Sequence, residues 1–245
     1  MQPCLILWNE RQYHQRVWHL LQEWRRCRPE PLEWVLHMTN TLVLPIHTWG
    51  TADLDHELSR DEPFAPDWLR TETMGRQIGN LPLSLYAVVG SENRVLRRLA
   101  ETLPKRDADL IRNRAEWGMR VVHEIQHSGP LNKLLKDFGY GTDRVVVHPY
   151  WAESPVLSVQ PEQVKWLVLS SPSQQRLLVV LASWSAEKTA AELRLDAKAL
   201  GFAVAGAKVL DAETGRTIAT AFGDALPLEL PGPYGVRLLV FDPAT

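Results

Sequence analysis

The sequence predicts an α/β plus all-β chain: the C-terminal part of an eight-stranded (β/α)8 TIM-type barrel over residues 1–155, then a small antiparallel β-sandwich over residues 156–245. Three observations predict it. Short apolar runs alternate with 3.6-residue helical periods through the first part. From about Ser158 those periods vanish, and short strands recur with turn residues between them. Only four or five barrel-type strands can be found, and half a barrel leaves an open edge and a bare apolar interior. Such a chain is the portion of a larger enzyme, or it must find a partner.

The first strand is Cys4–Trp8. A helix over Glu10–Arg26 follows, with Tyr13, Val17, Leu20, Leu21 and Trp24 at three- and four-residue spacing, stopped by Pro29 and Pro31. Strands Glu33–His37 and Leu42–His47 come next. Pro66 opens a helix through Trp68, Leu69, Met74 and Ile78, in which Glu72 has a structural place. Leu81–Val89 is almost wholly apolar, as for a strand buried on both faces. Helices Glu92–Thr102 and Asp107–Trp117, a β-branched strand Met119–Ile125, a helix closing at Gly139 and a strand Arg144–Val147 complete this part. Tyr150 and Trp151 form an aromatic exit from that last strand.

In the second part the strands are Val164–Leu169, Arg176–Ser183, Ala190–Asp196, Lys208–Asp211, Thr217–Ala219, Ala225–Leu230 and Gly235–Phe241, with DAETGR as a turn. Leu193, Leu195, Val236, Leu238 and Val240 make its core face. No cluster of ionisable groups marks a site there, so the module reads as structural.

Composition limits the partners. A net charge of −2 gives no electrostatic reason to expect nucleic acid or an anionic membrane. No run of eighteen apolar residues exists to span a bilayer. The start, MQPCLILWNERQ, lacks the basic region of a signal peptide. Cys4 and Cys27 could pair, but two cysteines are no disulfide framework, and the compartment stays open. Ten tryptophans, eight of them before residue 152, favour a sugar-stacking role for some, although most must serve as core.

Chemistry concentrates in Glu33–Leu58. Two apolar runs end in polar groups: His37, Thr39 and Asn40 after the first, His47, Thr48 and Trp49 after the second. Asp53, Asp55 and Glu57 then alternate in an acidic loop. In α/β folds, ligands bind beyond the carboxyl ends of the strands. The plainer reading is a buried strand before a solvated loop.

The motif HEIQH, His123–His127, has the spacing of a zinc site on a helix. Its context opposes this. The segment MRVVHEI is β-branched, and Ser128, Gly129 and Pro130 follow at once. On a strand, His123 and Glu124 would face opposite ways. No metal site and no cofactor is therefore expected.

The order YHQRVWHLLQEW, EWVLHMTNTLVLPIHTWGTADLDHE, RTETMGRQIGNLP and WGMRVVHEIQ…FGYGTDRVVVHPYW resembles the C-terminal half of the barrel in a glycoside-hydrolase-like family, glycoside hydrolase family 123-like or domain of unknown function 6067. The tail LLVVLASWSAEKTAAELRLDAKALG…KVLDAETGR…LELPGPYGVRLLVF resembles the β-sandwich that trails the barrel in many glycosidases. The resemblance implies a carbohydrate substrate and hydrolysis by carboxylate acid/base chemistry, or by a substrate acetamido group assisted by carboxylates. It also implies that the main acid pair lies on earlier barrel strands, outside this chain. Asp53, Glu57 and Glu124 are then the catalytic candidates, and His37, Asn40, Trp49 and His123 the substrate-binding ones, with Trp49 as a stacking platform. The implied partner, besides the sugar, is the missing half of the barrel or another copy of the chain. Two alternatives stand beside this: a zinc metallohydrolase using HEIQH, and a non-catalytic carbohydrate-binding or assembly module.

Overall fold

A computed structural model describes residues 93–125, 129 and 131–243. Earlier in the chain it describes residues 15–16, 18–20, 22–23, 26–27, 63 and 65–70, and the backbone of 35–38, 52–55 and 81–84. The expected strands Cys4–Trp8 and Leu42–His47 lie outside these residues.

Three strands, β1 (Val35–Met38), β2 (Ala52–Asp55) and β3 (Leu81–Ser84), form a parallel sheet in the order β1-β2-β3. Parallel neighbours need long crossovers, the arrangement expected of βα units. The finding corrects one expectation: Asp53 and Asp55 belong to a strand, not to an acidic loop. A closed barrel is not formed among the described residues.

Helix α1 (Arg94–Thr102) starts at Asn93, whose side-chain oxygen accepts from the amides of Val95 at 3.0 Å and Leu96 at 3.1 Å. This cap satisfies two amides that a helix start otherwise leaves open, a contribution of about 1 kcal/mol. Helix α2 (Lys105–Val121) is longer than expected at both ends and overturns the strand Met119–Ile125. Val121 is its last turn, and residues 122–124 form a turn beyond it. Beta-branching costs a helix only up to about 0.7 kcal/mol per residue, whereas full burial of a Val or Met side chain returns about 1.5–3 kcal/mol. Met119 and Val122 are fully buried and Val121 is buried too, so packing decides the local structure. Helix α3 (Asn132–Phe138) closes at Gly139, whose φ of 113° suits glycine.

The remaining strands are β4 (Val146–Pro149), β5 (Leu157–Gln160), β6 (Val164–Ser171), β7 (Arg176–Ser183), β8 (Thr189–Leu195), β9 (Lys208–Asp211), β10 (Thr217–Ala219), β11 (Leu226–Leu230) and β12 (Val236–Asp242). A four-residue helix, α4 (Ala197–Leu200), follows β8. All pairings among these strands are antiparallel. One sheet runs β10-β9-β12-β7-β6-β4 and the other β11-β8-β5. The strand expected at Arg144–Val147 starts two residues later, and β4 belongs to the larger sheet through its pairing with β6.

The larger sheet is covered on both faces. Odd-numbered residues of β7, Leu177, Val179 and Leu181, join one core with Leu193 and Leu230 of the smaller sheet. Its even-numbered residues, Leu178, Val180 and Ala182, join another with Trp117 and Val121 of α2 and Leu135 of α3. Hence Leu177–Leu181 are all 1% exposed or less. The expectation of one core face is corrected here: Val236 and Leu238 face the helices, whereas Leu193 lies between the sheets. Gly118 lets α2 come close to β12, because a Cβ there would run into both methyls of Val236. Arg114 of α2 ties down the DAETGR turn, donating to Glu213 at 2.6 Å and to the Val236 carbonyl at 3.0 Å. A third core, Leu69, Leu96, Ala115, Met119, Ile125 and Tyr234, holds residues 65–70 and α1 against α2.

Candidate functional site

The structure places the sequence candidates in two groups. The first is defined by the parallel sheet: His37 pairs in register with Leu54, and Asp53 with Leu36 and Pro82. His37 and Asp53 therefore lie on adjacent strands but one register step apart, which assigns them to opposite faces of the sheet. Met38, Asp55 and Ser84 form the carboxyl-terminal row of the three strands. Asn40, Trp49 and Glu57 lie outside the described residues, as does His127.

The second group stands at the end of α2. His123 is buried, 1% exposed. Its Nδ1 lies 2.7 Å from the Met119 carbonyl and its Nε2 2.9 Å from the Tyr150 hydroxyl. Carbonyls can only accept and a neutral imidazole carries one proton; the shorter carbonyl contact, 2.7 Å to Met119 against 3.2 Å to Pro66, assigns it to Nδ1, and Nε2 then accepts from Tyr150. The Pro66 carbonyl is 3.2 Å from Nε2. Three aromatic rings complete the surround: Trp151 stacks on the imidazole at 6.0 Å, and Tyr150 and Trp184 meet it edge-on at 5.4 and 5.6 Å. Burial lowers the His123 pKa to about 4, against the opposing pull of the Met119 and Pro66 carbonyls. The imidazole is neutral at pH 7. Burial also raises the Tyr150 pKa, keeping the hydroxyl protonated and able to donate.

Neither ring nitrogen of His123 is thus open to a metal without loss of a hydrogen bond. Among the described residues, no group of three His, Cys, Asp or Glu side chains could hold a metal ion. These findings count against the zinc arrangement on the residues they cover.

Glu124, next in sequence, has a φ of 57°, a left-handed backbone uncommon for a residue with a Cβ. It follows from the end of α2, where the amides of His123, Glu124 and Ile125 turn back onto carbonyls of Arg120 and Val121. Its half-buried side chain lines a pocket with Trp117, Val121, Asn132, Lys136 and Tyr140. Burial raises its carboxyl pKa. A carboxyl held neutral to higher pH is suited to give up a proton as a general acid. The pocket encloses about 40 Å³, well short of the roughly 300 Å³ at which ligand pockets begin. It admits part of a ligand, not a whole ring.

Sequence reasoning singled out His123 and Glu124 but not what surrounds them. Tyr150 and Trp151 were visible as the aromatic end of a strand. Pro66 signalled only the start of a helix, and Trp184 gave no local signal.

No protein-family model matches the chain, and no curated protein matches it. Among solved structures it has distant, partial similarity to glycoside hydrolases. A Bacillus halodurans protein provisionally assigned as an α-N-acetylgalactosaminidase aligns at 12% identity and a TM-score of 0.31, over 63% of this chain and 28% of the other. A family 27 β-L-arabinopyranosidase of Geobacillus stearothermophilus, in complex with arabinose, aligns at 18% identity and a TM-score of 0.28, over 34% and 18%. AmyP in complex with maltotriose aligns at 18% identity and a TM-score of 0.26, over 34% and 15%. The chain spans less than a third of the length of each. No helix among the described residues is long and apolar enough to cross a membrane.

Proposed function

We propose that the chain is part of a glycoside-hydrolase-type protein, acting on a carbohydrate through carboxylate acid/base chemistry. The observation that carries this reading is the parallel sheet β1-β2-β3, on one face of which Asp53 and Asp55 fall in register with Leu36 and Met38 of β1 and with Pro82 and Ser84 of β3. In sequence, Asn40 follows β1 and Glu57 follows β2 by two residues each. Residues beyond the carboxyl ends of parallel strands are the ones that meet a ligand in barrel and open α/β folds alike. Asp53 and Glu57 serve as carboxylates for the sugar and Asn40 holds its hydroxyls, whereas His37, one register step from Asp53, belongs to the other face of the sheet. Trp49 offers an aromatic face to the ring.

Glu124, with its raised pKa, supplies a proton to the leaving oxygen. His123 acts through others, fixing Tyr150 and Trp151 as a rigid aromatic wall. The remaining strands of the (β/α)8 barrel come from the rest of the protein or from a partner, and the trailing sheets brace the site.

The test is thermal unfolding and turnover with galactose, arabinose, N-acetylgalactosamine and maltotriose, together with their 4-nitrophenyl glycosides where these exist. The reading expects one sugar class to raise the unfolding midpoint. Asp53→Asn and Glu124→Gln should lower turnover of the matching glycoside by about a hundredfold or more while leaving the midpoint shift in place. Sugar binding without turnover, unchanged in both variants, would replace it with the carbohydrate-binding module. No response to any sugar would remove carbohydrate from the account.

A further inference from the structure

We infer that Asn132 is a positioning residue for Glu124, acting through the indole of Trp117, which it holds as a fixed wall of the pocket that the Glu124 carboxyl lines. The role rests on the reading above, in which Glu124 gives a proton to the leaving oxygen. Two elements build the pocket: Trp117, Val121 and Glu124 come from α2 and the turn beyond it, and Asn132 and Lys136 come from α3. Trp117 is 2% exposed, and its Nε1 donates to the side-chain oxygen of Asn132 at 2.6 Å. The chain at Gly129 runs along the same edge of the indole, so close that a Cβ there would lie 2.5 Å from Cδ1 and 3.2 Å from Nε1. The backbone amide of Asn132 donates to the Gly129 carbonyl at 3.1 Å. Backbone and side chain thus grip one ring edge together.

The grip matters because the pocket is small. It encloses about 40 Å³, and one water needs about 10–15 Å³, so it has room for a few waters at most. The carboxyl keeps its proton to higher pH because burial withholds the water that would solvate its charge. An indole N–H buried without an acceptor is costly. Without the Asn132 oxygen the ring would turn to find one, water would enter, and Glu124 would ionise at lower pH. The other titratable groups around the carboxyl do not replace this wall. Lys136 of α3 lines the pocket, but an ammonium favours the carboxylate and so opposes burial. Tyr140 also lines it, as a phenol uncharged at neutral pH. His123, next in the chain, is neutral with both nitrogens engaged elsewhere.

The experiment is a pH titration of the full chain by NMR, without sugar, following isotope-labelled glutamate carboxyls and tryptophan indoles. Glu124→Gln and Trp117→Phe assign the two signals. In the unmodified protein the Trp117 indole N–H should inflect at the pH where Glu124 titrates. Asn132→Ala should move that pH down, toward the ordinary carboxyl value of 4.5. Asn132→Asp keeps an oxygen for the indole and adds a like charge, so it should hold the Glu124 value or raise it. With any glycoside the protein turns over, Asn132→Ala should also shift the alkaline limb of kcat to lower pH, because only the protonated carboxyl donates. A residue that merely stabilised the fold would lower the unfolding midpoint and leave the Glu124 titration in place, and that result would overturn the inference. So would an indole signal that ignores the Glu124 titration in the unmodified protein, a reading that stands even if Asn132→Ala fails to fold. Coupling seen by NMR without turnover of any glycoside would sustain the role of Asn132 and remove the sugar chemistry from Glu124.

Discussion

The Tyr150 hydroxyl lies 2.9 Å from Nε2 of His123, and with the imidazole proton on Nδ1, 2.7 Å from the Met119 carbonyl, it is the donor of that bond. Residues far apart in sequence are joined here through one ring. Protonating that ring would set a charge among Trp151, Trp184 and Tyr150 and turn Nε2 from acceptor to donor, so that Tyr150 could no longer donate to it.

Stability should therefore fall in acid through His123. Its folded pKa is depressed to about 4 from an unfolded value of 6.5. Its contribution is complete above the unfolded value and is lost as the pH drops toward the folded one, because the unfolded chain binds the proton first. The shift corresponds to about 3 kcal/mol across that window. Urea midpoints between pH 7.5 and 4.5 measure it, and His123→Gln, less stable at neutral pH, should show a flatter profile. An equally steep profile in that variant would assign the acid sensitivity to other groups.

Glu124→Gly should stabilise the fold by roughly 1 kcal/mol, since glycine takes the 57° φ without the steric cost of a Cβ. It should also abolish turnover if Glu124 is the proton donor. Gain of stability with loss of activity would be the mark of strain kept for function. A loss of stability would mean that the carboxyl holds the turn together.

Gly118→Ala should weaken the contact of α2 with β12. The added methyl meets Val236, which is fully buried and has nowhere to move. Overpacking of this kind costs about 1–3 kcal/mol, against a gain of up to about 1 kcal/mol from helix propensity. The double variant with Val236→Ala should recover part of the loss. Denaturant midpoints of the four-member cycle read the coupling directly, and additive effects would show that the two residues do not meet.

Chelators should leave the unfolding midpoint unchanged. Both nitrogens of His123 are engaged, and a metal would need one of them. A midpoint that falls on chelation and returns with stoichiometric zinc would restore the metallohydrolase reading.

Much of the sheet architecture was legible because its strands carry local signals. Arg176–Ser183, Lys208–Asp211 and Thr217–Ala219 begin and end where their turn residues predict. The strand β5 was not foreseen, because LSVQ is short and only half apolar. In β7 the unbroken run LLVVLA signals burial on both sides, but strand patterning supplies only one of the two covers, the second sheet of a sandwich. The helices that cover its second face come from before residue 140, too far away in sequence for strand patterning to register.

The end of α2 misled for the opposite reason. Its two adjacent valines favour a strand locally, and only the long-range burial of Met119 and Val122 keeps the chain helical through Val121. The site was legible as residue types and not as surroundings. His123 and Glu124 stand out by the spacing of HEIQH, but the partners that give them their character sit 27 and 57 positions away, at Tyr150 and Pro66. No periodicity carries that information.

Because β7 is wrapped from both sides, the tail of this chain is not a cassette. Cutting before residue 156 would remove α2, α3 and β4 together, and leave Leu178, Val180, Ala182 and Leu238 facing water. A sheet stripped in that way is a template for self-association. Anyone grafting the tail onto another protein, or expressing it alone, would need to carry the helices with it. A substitution at Trp117 or Leu135 would accordingly be felt at Leu178, Val180 and Ala182 of β7, more than forty residues downstream.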